Sequence, residues 1–161
     1  MRKIITVVAA AVVALGALLG TAAPASASGH EHQPKVTSVN VIGPIWKTSA
    51  TTALLFAVYS CTGTAEQTHV WISVKQNATR TADPALKDEG SGGGHIATAW
   101  SQTHAASLTC DGRKHLGAFT VDQKEQGYGT LGRGWAYMQF CLFDANYPQE
   151  PLSVMQFRRL L

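Results

Sequence analysis

The chain has 161 residues, 45% hydrophobic and 14% charged, enough apolar side chain for one domain with one packed core. Its formal charge of +3 falls to +1 once Arg2 and Lys3 are set aside with an export-type N-terminal segment, leaving 11 basic residues against 10 acidic ones. Beyond that segment the only adjacent basic pairs are Arg113-Lys114 and Arg158-Arg159. This excludes a nucleic-acid binder, which needs a basic stripe to displace phosphate counterions.

Residues 1–27 read as a cleaved secretory signal peptide. Met1, Arg2 and Lys3 form a positive start, Ile4 to Gly20 is an uncharged apolar run, and "TAAPASAS" has small residues at A-x-A spacing. The run is shorter than the roughly 20 residues a membrane-spanning helix needs, so no membrane span is expected in the mature chain. Cleavage after Ala27 would expose Ser28-Gly29-His30. A free amine, two backbone nitrogens and an imidazole then form a square-planar set suited to Cu(II) or Ni(II). The plainer alternative is a histidine-containing tail without a role, and cleavage after Ala25 would remove the site. "SGHEHQP", residues 28–34, is a polar, disordered lead-in, and the folded domain is expected over 35–161.

From there apolar residues recur with period two between Gly, Asp, Asn and Pro clusters, which predicts short strands. "KVTSVNVI" (Lys35 to Ile42) is the first. "TALLFAVYSC" (Thr52 to Cys61) is apolar on both faces and is expected to be central. "THVWISVKQ" (Thr68 to Gln76) turns Val70, Ile72 and Val74 one way and His69, Trp71, Ser73 and Lys75 the other. Asn77 to Gly94 loses the pattern and reads as a long mobile loop. Strands are then expected over His95 to Ser101, Ala105 to Cys110, His115 to Asp122 and Leu131 to Phe143, with Leu152 onward an edge strand or short helix. "GRGWAYMQFCLF" places Trp135, Tyr137, Gln139, Cys141 and Phe143 on one face and Ala136, Met138, Phe140 and Leu142 on the other. A strand apolar on both sides belongs in the middle of a sandwich, the preferred reading, or in an interface.

Three cysteines in an exported chain allow one disulfide. Cys61 and Cys110 each precede a turn, where bridges are often made, so Cys61–Cys110 is the preferred pair and Cys141 a buried free thiol. Cys61–Cys141, with Trp71 between, is the rival, in the manner of an immunoglobulin bridge. The succession "FAVYSC", "VWISVKQ", "LTCDGRKHLGAFTV" and "GRGWAYMQF" resembles a family of small exported β-sandwich proteins of high-GC Gram-positive bacteria whose function is unknown. The resemblance spans about residues 35–145. It implies export, a β-sandwich and a bridge between Cys61 and the cysteine of "CDG", Cys110, and it brings no catalytic residues.

The chemistry-bearing residues are sparse. Cys110 and His115, with His95 and His104, lack the paired, tightly spaced motifs of a zinc site. Ser91 in "EGSGGGH" lacks the strand and helix of a nucleophile elbow. Trp71 and Trp100 are candidates for a sugar-stacking platform, whereas Trp135 is expected in the core. The sequence thus points to an all-β, immunoglobulin-like antiparallel sandwich of about seven strands, secreted and without a cofactor. Its expected role is non-catalytic recognition of an extracellular protein or, alternatively, of a polysaccharide.

Overall fold

The computed structural model describes residues 35–62, 68–88, 96–105, 108–144 and 152–161. The signal segment, the lead-in with Ser28-Gly29-His30, and Ser91 and His95 lie outside the described residues. Among the described residues there are seven strands: β1 (Lys35–Lys47), β2 (Ala53–Thr62), β3 (Thr68–Asn77), β4 (Ala97–Ala105), β5 (His115–Tyr128), β6 (Gly134–Asp144) and β7 (Leu152–Leu160). They are hydrogen-bonded in the order β1-β2-β5-β4-β3-β6-β7, and β7 returns to β1.

The all-β expectation holds, but the two-layered immunoglobulin-like sandwich is replaced by a closed barrel. The physical reason is the last strand. β7 pairs along β6 from Leu152 to Leu160 and also meets β1 in parallel at Ile45 and Leu160, so it is neither an edge strand nor a helix. Leu161 N–H donates to the Ile45 carbonyl and Lys47 N–H to the Leu161 carbonyl, both at 2.9 Å. Further along this seam Arg158 takes over. Its guanidinium donates to the carbonyls of Val41 and of Gly43, the latter at 3.2 Å. Closure removes the exposed edges that an open sheet must otherwise protect.

Period-two alternation now has one meaning for all strands, barrel interior against outer wall. Leu55, Ile72, Val121, Met138, Phe140 and Leu160 fill the interior, with Phe119 edge-on to Phe140 at 5.0 Å. β6 therefore does not run between two sheets. Its Ala136–Leu142 face is the core, and its Trp135–Phe143 face is the outer wall. Part of that wall is covered. Asn77–Asp88, expected to be mobile, instead forms a turn and a single 3-10 turn at Pro84–Lys87, capped by Asp83 Oδ1 accepting from Ala85 N–H at 3.0 Å. This places Leu86, fully buried, against Ala97 and Tyr137 on the outside of the barrel.

The bridge is Cys61–Cys110, and Cys141 is a free, buried thiol. Of the strand expected over Ala105 to Cys110, the described residues Leu108–Cys110 are not in a strand. β4 ends at Ala105, and Leu108–Cys110 is held by the disulfide and by Thr109 N–H donating to Tyr59 Oη at 3.3 Å, with no ladder partner until the Thr62–Asp111 bridge.

Candidate functional site

Two parts of the outer wall carry aromatic and polar side chains. The first is on β3 and β4. Trp71 lies opposite His104, and Lys75 opposite Trp100, so both expected platform tryptophans share one outer face, four residues apart along β4. Both rings are half-buried and already engaged. Trp71 Nε1 donates to Gln102 Oε1 at 3.0 Å, and that amide donates to Gln126 Oε1 at 3.1 Å. Trp100 meets Tyr128 edge-on at 5.9 Å, has the Lys75 ammonium 5.7 Å from its centre, and buries an Nε1 with no hydrogen-bond partner among the described residues.

His69 and His104 sit at the end of this face, ring centres 6.4 Å apart, with His69 stacked on Phe143 at 4.8 Å. Burial, and then the neighbouring His104, holds the His69 imidazole below its ordinary value. His104 Nδ1 is 2.7 Å from Glu125 Oε2, and His115 Nε2 is 2.7 Å from Asp111 Oδ1. Such pairs can orient a general base. Among the described residues, however, no hydroxyl or thiol is hydrogen-bonded to either ring, and no group of three or more His, Cys, Asp or Glu side chains is placed to hold a metal ion. Cys141, 3% exposed, lies in the same wall between Trp71 and Ser153, whose hydroxyl donates to its sulfur at 3.2 Å. Desolvation raises this thiol's pKa, against the opposing effect of the Ser153 hydrogen bond, so it is a poor nucleophile.

The second part lies over the seam, on β1, β7 and β6, and it holds the two more exposed tryptophans. Trp135 is 37% exposed and Trp46 47%. Trp135 is not a core residue. It opens β6 at the rim of the barrel, beyond the reach of the 3-10 turn that covers Tyr137 two residues later. Trp46 follows Ile45, which points inward opposite Leu160, so it emerges on the outer wall with β7 between it and Trp135. On the same wall lies a groove of about 380 Å³ lined by Gly43, Pro44, Trp135, Gln156, Phe157 and both arginines of β7, with Trp46 outside its lining.

The fold fixes this groove from beneath. Inside the barrel Gln76 is buried and donates to the carbonyls of Gly132 (2.8 Å) and Trp135 (3.0 Å), while its Oε1 accepts from Gly132 N–H at 2.8 Å. From the other side Trp135 N–H donates to the Arg80 carbonyl at 2.8 Å. Gly134 has φ +148°, and a β-carbon there would come within 2.6 Å of Arg80 Cβ, so only glycine fits. The two arginines then divide their roles. Arg158 is spent on the seam carbonyls, whereas Arg159 is exposed, lies with its guanidinium 5.4 Å from the centre of the Trp135 ring, and has no carboxylate partner among the described residues.

Sequence reasoning missed this site because Trp46 lies past Gly43-Pro44, where the first strand was expected to stop. In the structure β1 continues through an irregularity to Lys47. The Trp46 and Arg159 positions are legible only once β7 is known to lie beside β1. No known protein family, no curated protein and no solved structure matches this chain.

Proposed function

We propose that this chain is an exported, non-catalytic recognition protein that binds a polysaccharide on the outer wall formed by β1, β7 and β6. Export rests on the signal-type segment over 1–27 and agrees with the disulfide, a bond that persists in oxidising compartments. The observation that carries the binding reading is a groove lined by the exposed Trp135, with a second exposed tryptophan, Trp46, on the same wall. Exposed aromatic patches rimmed by polar groups mark interaction surfaces, and flat indoles offer the C–H faces of sugar rings an apolar contact at low entropic cost. The platform over Trp71 and Trp100 is the second reading, favoured by their common face.

Retention on insoluble chitin, cellulose, peptidoglycan and pectin tests the proposal. The wild-type chain is expected to be held by at least one of them, and the Trp46→Ala/Trp135→Ala variant to pass through with an unchanged circular dichroism spectrum. Equal retention of wild type and double variant would remove this wall from consideration, and loss on Trp71→Ala instead would move the site to the β3–β4 face.

A further inference from the structure

Resting on that reading, we propose that the groove selects saccharides bearing carboxylates, with Arg159 as the residue that recognises the acid. Arg159 has a geometry suited to this role. With its guanidinium 5.4 Å from the centre of the Trp135 ring, Arg159 has a cation–π contact that consumes none of its N–H donors, which remain for a ligand. The guanidinium fork matches a carboxylate in bidentate fashion, and the contact with the indole restricts the side chain before the ligand arrives.

The surroundings add to this. Arg158 is tied across the seam to Val41 and Gly43, so its charge is fixed at the floor while its donors are occupied. Gln156, with its amide oxygen turned to the guanidinium, accepts from Arg158 Nη2 at 2.8 Å and Nε at 3.1 Å, which completes that restraint. The groove floor thus carries two positive charges and no acidic side chain, and apolar rings or a proline flank them. An anion with a sugar-like apolar face fits this combination. An acidic peptide or a free oxyanion would satisfy the charge but has no comparable use for the Trp135 and Phe157 rings of the groove.

Calorimetric titration of the full chain separates these cases with four probes: a short oligogalacturonate, the same oligomer fully methyl-esterified, poly-glutamate and inorganic phosphate. The oligogalacturonate is expected to bind, and the ester form about tenfold or more weaker. Arg159→Gln should lose about the same factor for the acidic oligomer alone. Arg159→Lys should recover only part, because an ammonium lacks the planar fork. Trp135→Ala should weaken both oligomers. Unchanged thermal unfolding of these surface variants shows that the barrel is intact. Equal affinity for acid and ester overturns the carboxylate selection while leaving the wall as a sugar site. Binding of poly-glutamate or phosphate as tightly as the oligogalacturonate overturns the saccharide assignment. Failure of every probe overturns the proposal, and retention on the neutral polysaccharides above would then still support the broader reading.

Discussion

Inside the barrel the amide of Gln76 meets three backbone groups of the turn into β6, so a single buried side chain sets where Trp135 leaves the wall. Gln76→Leu keeps the volume but strands a buried N–H and two carbonyls. At about 1–3 kcal/mol for each buried polar group left unpaired, a loss of roughly 3 kcal/mol is expected in urea unfolding. A loss below about 1 kcal/mol would show that the turn is held without it. His69 supplies a pH signature at the same scale. Its folded pKa lies below the ordinary 6.5, so the unfolded chain binds the proton more readily. Stability is therefore full above about pH 6.5 and declines as the pH falls through that value toward the lower folded one. His69→Gln should flatten this part of the stability profile. Asp111, held low first by the His115 hydrogen bond and then by Arg113 N–H, acts only in the acid range, its contribution being lost as pH falls below 3.8. The face assignments of β6 were legible from alternation alone, because they depend only on the period of two. Which face met solvent was not. Trp135 and Tyr137 share a face, yet one is exposed and the other 4% exposed, since the 3-10 turn reaches only the second.

Among the elements, the disulfide does what a ladder does elsewhere. Cys61 closes β2, Cys110 stands where β4 has already ended, and the bridge spans a sequence separation of 49. Chain entropy for such a loop gives about 4 kcal/mol, so a Cys61→Ala/Cys110→Ala variant should lose about 2–4 kcal/mol in denaturant titration. Cys141 should react with a thiol reagent only after denaturation, in line with its burial beside Ser153. Rapid labelling of the native protein would contradict this placement. The strands with clean alternation, β2, β3 and β6, were readable in advance. β5 was readable as far as Asp122, but not its second half, "QKEQGY", which is polar and largely exposed. Between Ser101 and Gln102 of β4 the paired residue of β5 jumps from Gly127 to Asp122, and the amide of Gln123 fills the gap by donating to the Trp100, Tyr128 and Gly129 carbonyls. Side-chain satisfaction of that kind leaves no periodic trace. The turn at Pro84–Lys87 was hidden for a similar reason, one buried leucine among charges. Leu86→Ala should cost about 2–5 kcal/mol if its pocket stays open, and less if Ile96 and Phe157 close over it.

At the scale of the whole molecule, closure decides which side chains share a wall. A strand apolar on both faces is compatible with a sandwich interior and with a covered barrel wall, and nothing in a single strand's pattern separates the two. The separation comes from β7, whose alternation is weak because Arg158 points toward the seam and works there as a hydrogen-bond donor. Once β7 joins β1, Trp46, Trp135 and Arg159 come to one wall, and none of them forms a sequence motif. The most direct measurement is a ¹H–¹⁵N spectrum followed through titration with a short oligogalacturonate, since four tryptophans give four indole N–H signals divided between the two walls. Binding over the seam predicts shifts at the indoles of Trp46 and Trp135 and none at Trp71 and Trp100. Shifts at Trp71 or Trp100 with Trp46 and Trp135 unmoved would contradict it.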